Sequence, residues 1–190
     1  MKNIAIFASG AGTKARNIIK YFSKNEKIKV SLVISNNSKA GVHEEAMKLR
    51  VPSITFTKND FSSGFPVLNL LNEYQIDFIV LAGFMCKIAD TILKVYPNKI
   101  VNIHPALLPK YGGKGMYEKH VHEAVVAAHE KEIGITIHYI NENYDEGDII
   151  FQTSCKISDS DTPDIVASKV HALEYKYYPI VIEKILTQEV

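Results

Sequence analysis

The chain has 190 residues, with 22 Lys and Arg against 21 Asp and Glu, and a formal net charge of +1. A content of 46% apolar and 23% charged residues excludes an intrinsically disordered chain, which needs low hydrophobicity and high net charge. The balanced charge also excludes a protein that binds nucleic acid through bulk positive charge, and we expect no nucleic-acid partner.

The cysteines and the apolar runs exclude further classes of protein. Cys86 and Cys155 do not form a C-x-x-C pair, so the sequence predicts neither a disulfide framework nor a thiolate zinc site. No apolar run reaches the roughly 18 residues of a membrane span. The apolar start at residues 3–8 is too short for a signal peptide and runs into glycines, so we expect a cytoplasmic protein without a membrane partner.

Strand and helix patterns alternate along the chain. Apolar runs rich in β-forming residues predict strands at 3–8, 29–35, 51–56, 78–82, 100–103, 134–140 and 148–157. Apolar residues at helical spacing predict helices at 13–22, 41–49, 65–74 and 120–128. Thr162, Pro163 and Asp164 form a helix-start signal, and Pro179 is expected to bend or break the helix that follows.

This alternation predicts an α/β fold of the Rossmann-like type. The sheet should be mostly parallel with helices on both faces, because the predicted strands are continuous apolar runs. The short polar connection at residues 141–147 predicts an antiparallel strand pair late in the chain. No repeat or linker is evident, and we expect a single domain over residues 1–190.

A glycine-rich turn at residues 10–15 follows the first predicted strand and opens the first predicted helix. Its sequence fits G-x-G-x-x-A, and the free N–H groups of a helix N-terminus suit a phosphate group. A dinucleotide site would need an acidic residue at the end of the second strand, where residues 35–37 are Ser-Asn-Asn. A phosphate monoester therefore fits best, while a dinucleotide site and a turn that needs glycine for geometry alone stay open.

A second candidate site lies at the end of the predicted strand 100–103. Asn102 and His104 are two residues apart on an extended chain, so their side chains point to the same side. An amide donor beside a histidine can hold a developing oxyanion and move a proton, as acyl transfer requires. The alternative is a histidine satisfied by a carbonyl in a turn. Asp145 is either a solvated residue of an acidic turn or a carboxylate that folds onto His104 and favours its charged form.

Seven histidines raise the question of a metal site. His120 and His122 are two residues apart in a predicted helix, so their side chains point in different directions. Because no H-E-x-x-H or similar spacing occurs, the sequence predicts no bound metal.

Four segments of the chain form a specific pattern when taken in order. They are 9–13 (SGAGT), 81–85 (LAGFM), 102–109 (NIHPALLP), and 134–138 (GITIH) with 144–147 (YDEG). The pattern resembles the folate-dependent glycinamide ribonucleotide formyltransferases, and the resemblance runs from Met1 to about Leu186. It implies formyl transfer from the co-substrate 10-formyltetrahydrofolate to the amine of glycinamide ribonucleotide in purine biosynthesis. It also implies a phosphate-binding half at about 1–100 and a folate-binding, catalytic half at about 80–190.

The resemblance also implies roles for individual residues. Asn102 and His104 would hold the oxyanion that forms when the amine attacks the formyl carbon, and Asp145 would keep His104 charged and oriented. The ribonucleotide would be bound by Gly12, Thr13, Lys14 and Glu174. The folate would contact Met85, Cys86, Lys87, Ile88, Asn102, Asn141 and Tyr144.

The sequence departs from the family pattern at three places outside the catalytic set. Lys14 stands where Asn is common, and its charge should strengthen phosphate binding. Cys86 and Lys87 replace a more usual Arg followed by an apolar residue, so the local folate contacts should differ. Gly64 stands near the position at which some members place an arginine that faces the folate glutamate tail.

Other functions remain as alternatives. A formyltetrahydrofolate hydrolase would carry a further N-terminal domain, and a methionyl-tRNA formyltransferase a further C-terminal domain with a basic surface. The length and charge of this chain favour neither. A non-catalytic nucleotide- or NAD-binding module would not depend on His104. We expect a monomer or a homodimer that acts on small molecules.

Overall fold

The computed structural model describes residues 1–143 and 145–187, and this part of the chain holds seven strands and seven helices. The strands are β1 (Lys2–Phe7), β2 (Ile28–Ser35), β3 (Ser53–Thr55), β4 (Phe78–Leu81), β5 (Ile100–His104), β6 (Glu132–Tyr139) and β7 (Ile149–Lys156). The helices are α1 (Thr13–Phe22), α2 (Val42–Lys48), α3 (Lys58–Ser63), α4 (Phe65–Glu73), α5 (Asp90–Val95), α6 (Lys119–Ala127) and α7 (Pro163–Thr187).

The strands form one sheet in the order β3-β2-β1-β4-β5-β6-β7. β1 pairs in parallel with both β2 and β4, and β2 pairs in parallel with β3. β6 and β7 pair antiparallel, as the short connection between them predicts. The predicted Rossmann-like α/β fold, mostly parallel with an antiparallel pair late in the chain, is thereby confirmed.

The chain is divided into two compact units. The first comprises residues 1–101 and the chain from Pro179 onward, and the second comprises residues 102–178. In the first unit, four consecutive residues of β1 from Ile4 to Phe7 are fully buried, as expected for a strand covered on both sides. In the second unit, Val121 and Val125 of α6 and three isoleucines of β6 are buried. A single domain over the whole chain stays a prediction.

Two short helices, α3 and α5, are not predicted from the sequence. α3 lies among polar residues, and its start is fixed by a capping box rather than by an apolar stripe. Thr57 Oγ1 accepts the Asp60 N–H at 3.2 Å, and an Asp60 carboxylate oxygen accepts the Thr57 N–H at 2.8 Å. α5 has six residues and buries only Ile92, so it is too short to show a helical period.

Pro179 is expected to bend or break the helix, and the expected break is wrong. α7 runs continuously from Pro163 to Thr187, with Pro179 inside it. A proline within a helix removes one N–H donor and costs about 3 kcal/mol. Tyr178 and Ile182 are fully buried beside it, and each such side chain contributes about 1.5–3 kcal/mol, which offsets that cost.

None of the helices in the described residues has the length and apolar character to cross a membrane.

Candidate functional site

Asn102 and His104 lie two residues apart at the end of β5. The His104 side chain is buried, and its Nε2 lies 2.7 Å from the carbonyl oxygen of Tyr111. A carbonyl oxygen only accepts, so the proton of this bond belongs to His104 Nε2. Tyr111 has a φ of 56°, a left-handed conformation that is costly outside glycine. One ring nitrogen of His104 is thus satisfied by a turn, which is the alternative role that the sequence left open.

The other ring nitrogen of His104 faces Asp145. Asp145 Oδ2 lies 3.5 Å from His104 Nδ1, and Asp145 Oδ1 lies 3.6 Å from His138 Nε2. The same Oδ2 accepts the Gly113 N–H at 3.0 Å. Asp145 has a φ of 56°, and aspartate tolerates this left-handed conformation better than most residues. The connection between β6 and β7 therefore directs the carboxylate at the histidines, and Asp145 is not a solvated turn residue.

His138 belongs to this group, although the sequence does not single it out. It is fully buried on β6, and its Nδ1 donates to the Tyr139 carbonyl at 2.9 Å. Its Nε2 then carries the lone pair and accepts from the Asn102 Nδ2 amide at 3.3 Å. Burial lowers the pKa of His138, which keeps the ring neutral and able to accept. The signal in the sequence is the alternation of β6, which places His138 and Thr136 on one face.

Thr136 fixes the segment that follows His104. Its hydroxyl donates to the Ala106 carbonyl at 2.7 Å and accepts the Leu108 N–H at 3.0 Å. Gln152 Nε2 donates to the Leu108 carbonyl at 3.0 Å and to Thr136 Oγ1 at 2.8 Å. These bonds tie the chain after β5 to β6 and β7, so the position of His104 is set on both sides of the residue.

The cluster of Asn102, His104, His138 and Asp145 lies within the second unit and has a defined chemistry. The Asn102 amide has two N–H groups and gives one to His138, so the second can be donated to a ligand oxygen. His104 has a donor at Nε2, and its Nδ1 lies 3.5 Å from a carboxylate oxygen of Asp145. Two such donors can stabilise an oxygen that becomes negative in a reaction, and His104 can also move a proton.

The glycine turn lies in the first unit, between β1 and α1. Gly12 is the N-cap of α1 with a φ of 81°, and as a glycine it makes no side-chain cap bond to this helix. A Cβ on Gly12 would lie 2.5 Å from Val42 Cα, the first residue of α2. Only glycine fits this conformation and this contact. The N–H groups at the N-terminus of α1 are of the kind that binds a phosphate group.

Gly12→Ala should therefore destabilise the protein by about 2–5 kcal/mol, through the left-handed backbone and the contact with α2. Gly10→Ala is the matched control, because a Cβ on Gly10 has no neighbour within 4 Å. Thermal unfolding of both variants checks this expectation. Equal midpoints for the two variants would contradict the role given to the Gly12 contact.

The other predicted ribonucleotide ligands differ in exposure. Thr13 is exposed at the start of α1, whereas the Lys14 side chain is only 8% exposed and interacts within the chain. The lysine that replaces the usual Asn at position 14 thus places no solvent-exposed charge on the turn.

In the second unit, Glu174 is 1% exposed on α7, and its Oε2 lies 2.8 Å from His171 Nδ1.

The predicted folate residues of the first unit follow β4. Met85 and Lys87 are exposed, Cys86 is half-buried and Ile88 is buried. Burial raises the pKa of the Cys86 thiol, which disfavours a thiolate nucleophile. The Met85 side chain is 56% exposed.

Two of the predicted folate residues follow β6. The side-chain oxygen of Asn141 accepts a hydrogen bond from the Asn143 N–H at 2.9 Å. Tyr144 lies outside the described residues. Within 1–143 and 145–187, no group of three or more His, Cys, Asp or Glu side chains could hold a metal ion. The absence of a metal from the reaction stays a prediction.

Comparison with known proteins gives a consistent result. A model of the formyl transferase family matches residues 2–182. The phosphoribosylglycinamide formyltransferase of Bacillus subtilis is 34% identical over 191 residues, which cover 98% of this chain and 95% of the relative. The chloroplastic enzyme of that name from Arabidopsis thaliana is 35% identical, over 100% of this chain and 67% of the relative. The crystal structure of phosphoribosylglycinamide formyltransferase from Bacillus halodurans superposes with a TM-score of 0.88 at 37% identity, covering 98% and 96% of the two chains.

Proposed function

The chain belongs to the formyl transferase family, and from this we propose that it transfers the formyl group of 10-formyltetrahydrofolate to the amine of phosphoribosylglycinamide (glycinamide ribonucleotide) in purine biosynthesis. One observation carries the proposal for this chain, namely that Asn102, His104 and Asp145 lie in one cluster. Asp145 faces His104 at 3.5 Å, and His138 links Asp145 to Asn102 through contacts of 3.6 and 3.3 Å. Full-length relatives bearing the enzyme name support the choice of substrates.

In the proposed reaction, the oxygen of the formyl group becomes negative as the amine nitrogen bonds to the formyl carbon. Asn102 donates its remaining amide N–H to this oxygen, and His104 donates a ring N–H. The carbon–nitrogen bond to the folate then breaks, the folate nitrogen gains a proton and the attacking amine loses one. Asp145 stabilises the charged His104 ring while these protons move.

His104 Nε2 donates a hydrogen bond to the Tyr111 carbonyl at 2.7 Å. We infer that the substrate oxygen replaces the Tyr111 carbonyl as the acceptor of this N–H, because one N–H does not form two hydrogen bonds of good geometry at the same time. His138 keeps the Asn102 amide in place during the exchange, because its own ring is fixed by the Tyr139 carbonyl.

For the ribonucleotide, we assign the phosphate to the glycine turn at the N-terminus of α1, with Gly12, Thr13 and Lys14 as its contacts. Glu174 is assigned to the remainder of this substrate, as a buried carboxylate held by His171. We assign the folate to seven residues, which are Met85, Cys86, Lys87, Ile88, Asn102, Asn141 and Tyr144. We further infer cytoplasmic action on small molecules by a monomer or homodimer.

The test is steady-state formyl transfer by the wild-type chain, with and without the amine substrate. We expect formylated product and tetrahydrofolate in equal amounts, and no turnover when phosphoribosylglycinamide is left out. Turnover of the folate without the amine would identify a hydrolase instead. Tight NAD binding with no turnover of either kind would identify a dinucleotide-binding module.

A further inference from the structure

Ser9 joins three segments of the first unit through its hydroxyl and its backbone. The residue follows β1 and precedes the glycine turn. Its Oγ donates to Asn36 Oδ1 at 2.6 Å and accepts the Met85 N–H at 2.9 Å. Its own N–H donates to the Gly83 carbonyl at 3.0 Å. Two of these three bonds reach the segment after β4, which carries the residues assigned to the folate.

The directions of the two hydroxyl bonds follow from the chemistry of the partners. A backbone N–H only donates, so the Ser9 oxygen accepts from Met85. The hydroxyl proton is then directed at the Asn36 side-chain oxygen, which only accepts. Asn36 lies at the end of β2, where a dinucleotide-binding protein would carry an acidic residue. In this chain the position orients the serine hydroxyl instead.

The segment that Ser9 holds is anchored on both sides. Phe84 packs its ring against Phe7 and Phe61, with ring centroids 5.4 and 4.9 Å apart. Ile88 is buried four residues further on. Between these anchors, the Met85 side chain is exposed, and its backbone amide is held by Ser9. The Ser9 hydroxyl therefore sets the backbone from which the exposed Met85 side chain projects.

We propose that Ser9 is a positioning residue for the folate co-substrate: its hydroxyl, oriented by Asn36, fixes the Met85–Ile88 segment against the start of the glycine turn. This rests on the proposed function, which assigns that segment to the folate. Ser9 acts through Met85 and not on the reacting atoms. Its loss should therefore weaken folate binding and leave the formyl-transfer step nearly unchanged.

The first experiment measures amide hydrogen exchange at Met85 in the wild type and in Ser9→Ala. We expect exchange at Met85 to rise by about 3- to 10-fold, the range set by one net hydrogen bond. The Ala82 amide, which donates to the Phe7 carbonyl at 2.8 Å, should be unchanged. Equal exchange at Met85 in both proteins overturns the inference. This readout requires neither substrate nor turnover.

The second experiment separates binding from catalysis. Ser9→Ala should raise the KM for 10-formyltetrahydrofolate and the Kd for tetrahydrofolate by about 3- to 10-fold, with kcat and the KM for the ribonucleotide within about twofold of wild type. Ser9→Thr keeps the hydroxyl and should restore both the KM and the Met85 exchange rate. Ser168→Ala, which removes an exposed hydroxyl bonded to the Asp164 carbonyl, is the matched control.

The outcomes distinguish this inference from the function on which it rests. An active Ser9→Ala enzyme with an unchanged folate KM overturns the role of Ser9 and leaves formyl transfer standing. A wild-type chain without formyl transfer and without tetrahydrofolate binding overturns the proposed function first. If Ser9→Ala does not fold, Asn36→Ala removes the acceptor of the hydroxyl proton and should raise both the KM and the exchange rate in the same direction.

Discussion

Replacing His104 by alanine should lower the turnover of formyl transfer by on the order of 1,000-fold. One oxyanion donor is worth roughly 100- to 1,000-fold, and general acid–base catalysis by one side chain roughly 100- to 10,000-fold. His104 is placed to serve both roles, since one ring nitrogen donates and the other faces the Asp145 carboxylate. The measurement is kcat at saturating concentrations of both substrates.

His120→Ala is the matched control for this variant. It removes an imidazole of the same size from an exposed position on α6. We expect its kcat within about twofold of wild type, because substitutions on the surface rarely disturb the fold. If His104→Ala retained a tenth of the wild-type turnover while folded, the assignment of the reaction to this cluster would be wrong.

Asp145→Asn should lower turnover by about 100- to 10,000-fold with little loss of stability. Asparagine is nearly isosteric and accepts the left-handed backbone found at this position, where φ is 56°. Its side-chain oxygen can still accept the Gly113 N–H, as the carboxylate does at 3.0 Å. The negative charge facing His104 and His138 is lost, and with it the support that the proposed mechanism assigns to Asp145.

Asp148→Asn removes a carboxylate from an exposed residue three positions along the same connection, and it should leave turnover unchanged. Comparison of kcat between the two variants isolates the charge that faces the histidines from the general negative charge of the turn. A similar, small loss in both variants would show that the turn acts only through its overall charge.

The sequence predicts the parts of the fold whose burial is continuous, as in β1, or periodic, as in α1. β1 is a continuous apolar run because both its sides are covered, and α1 shows its helical stripe because one side is buried. α3 is fixed by the Thr57–Asp60 capping box, a polar signal that apolar periodicity does not detect. At Pro179, the low helix propensity of proline predicts a break, but the burial of the neighbouring residues of α7 outweighs that propensity.

The candidate site is predictable in part for a similar reason. Asn102 and His104 share one strand, so their spacing alone places them together. The contact of Asp145 with His104 spans 41 residues of sequence and depends on a left-handed turn, which spacing does not encode. The sequence pattern does not single out Ser9 or His138. A serine beside glycines is typical of a turn, and a histidine in an alternating run is typical of a strand, so neither pattern indicates the contacts that these residues make.

In the proposed reaction, the bond between His104 Nε2 and the Tyr111 carbonyl would make the His104 N–H selective for a charged oxygen. A neutral formyl oxygen is an acceptor of about the same strength as the carbonyl it must displace, so exchange of one for the other gains little. An oxygen that carries negative charge forms a bond about twice as strong and displaces the carbonyl. In the proposed reaction the intramolecular contact would subtract from ground-state affinity and favour the transition state, so we expect this N–H to contribute to kcat and hardly to KM.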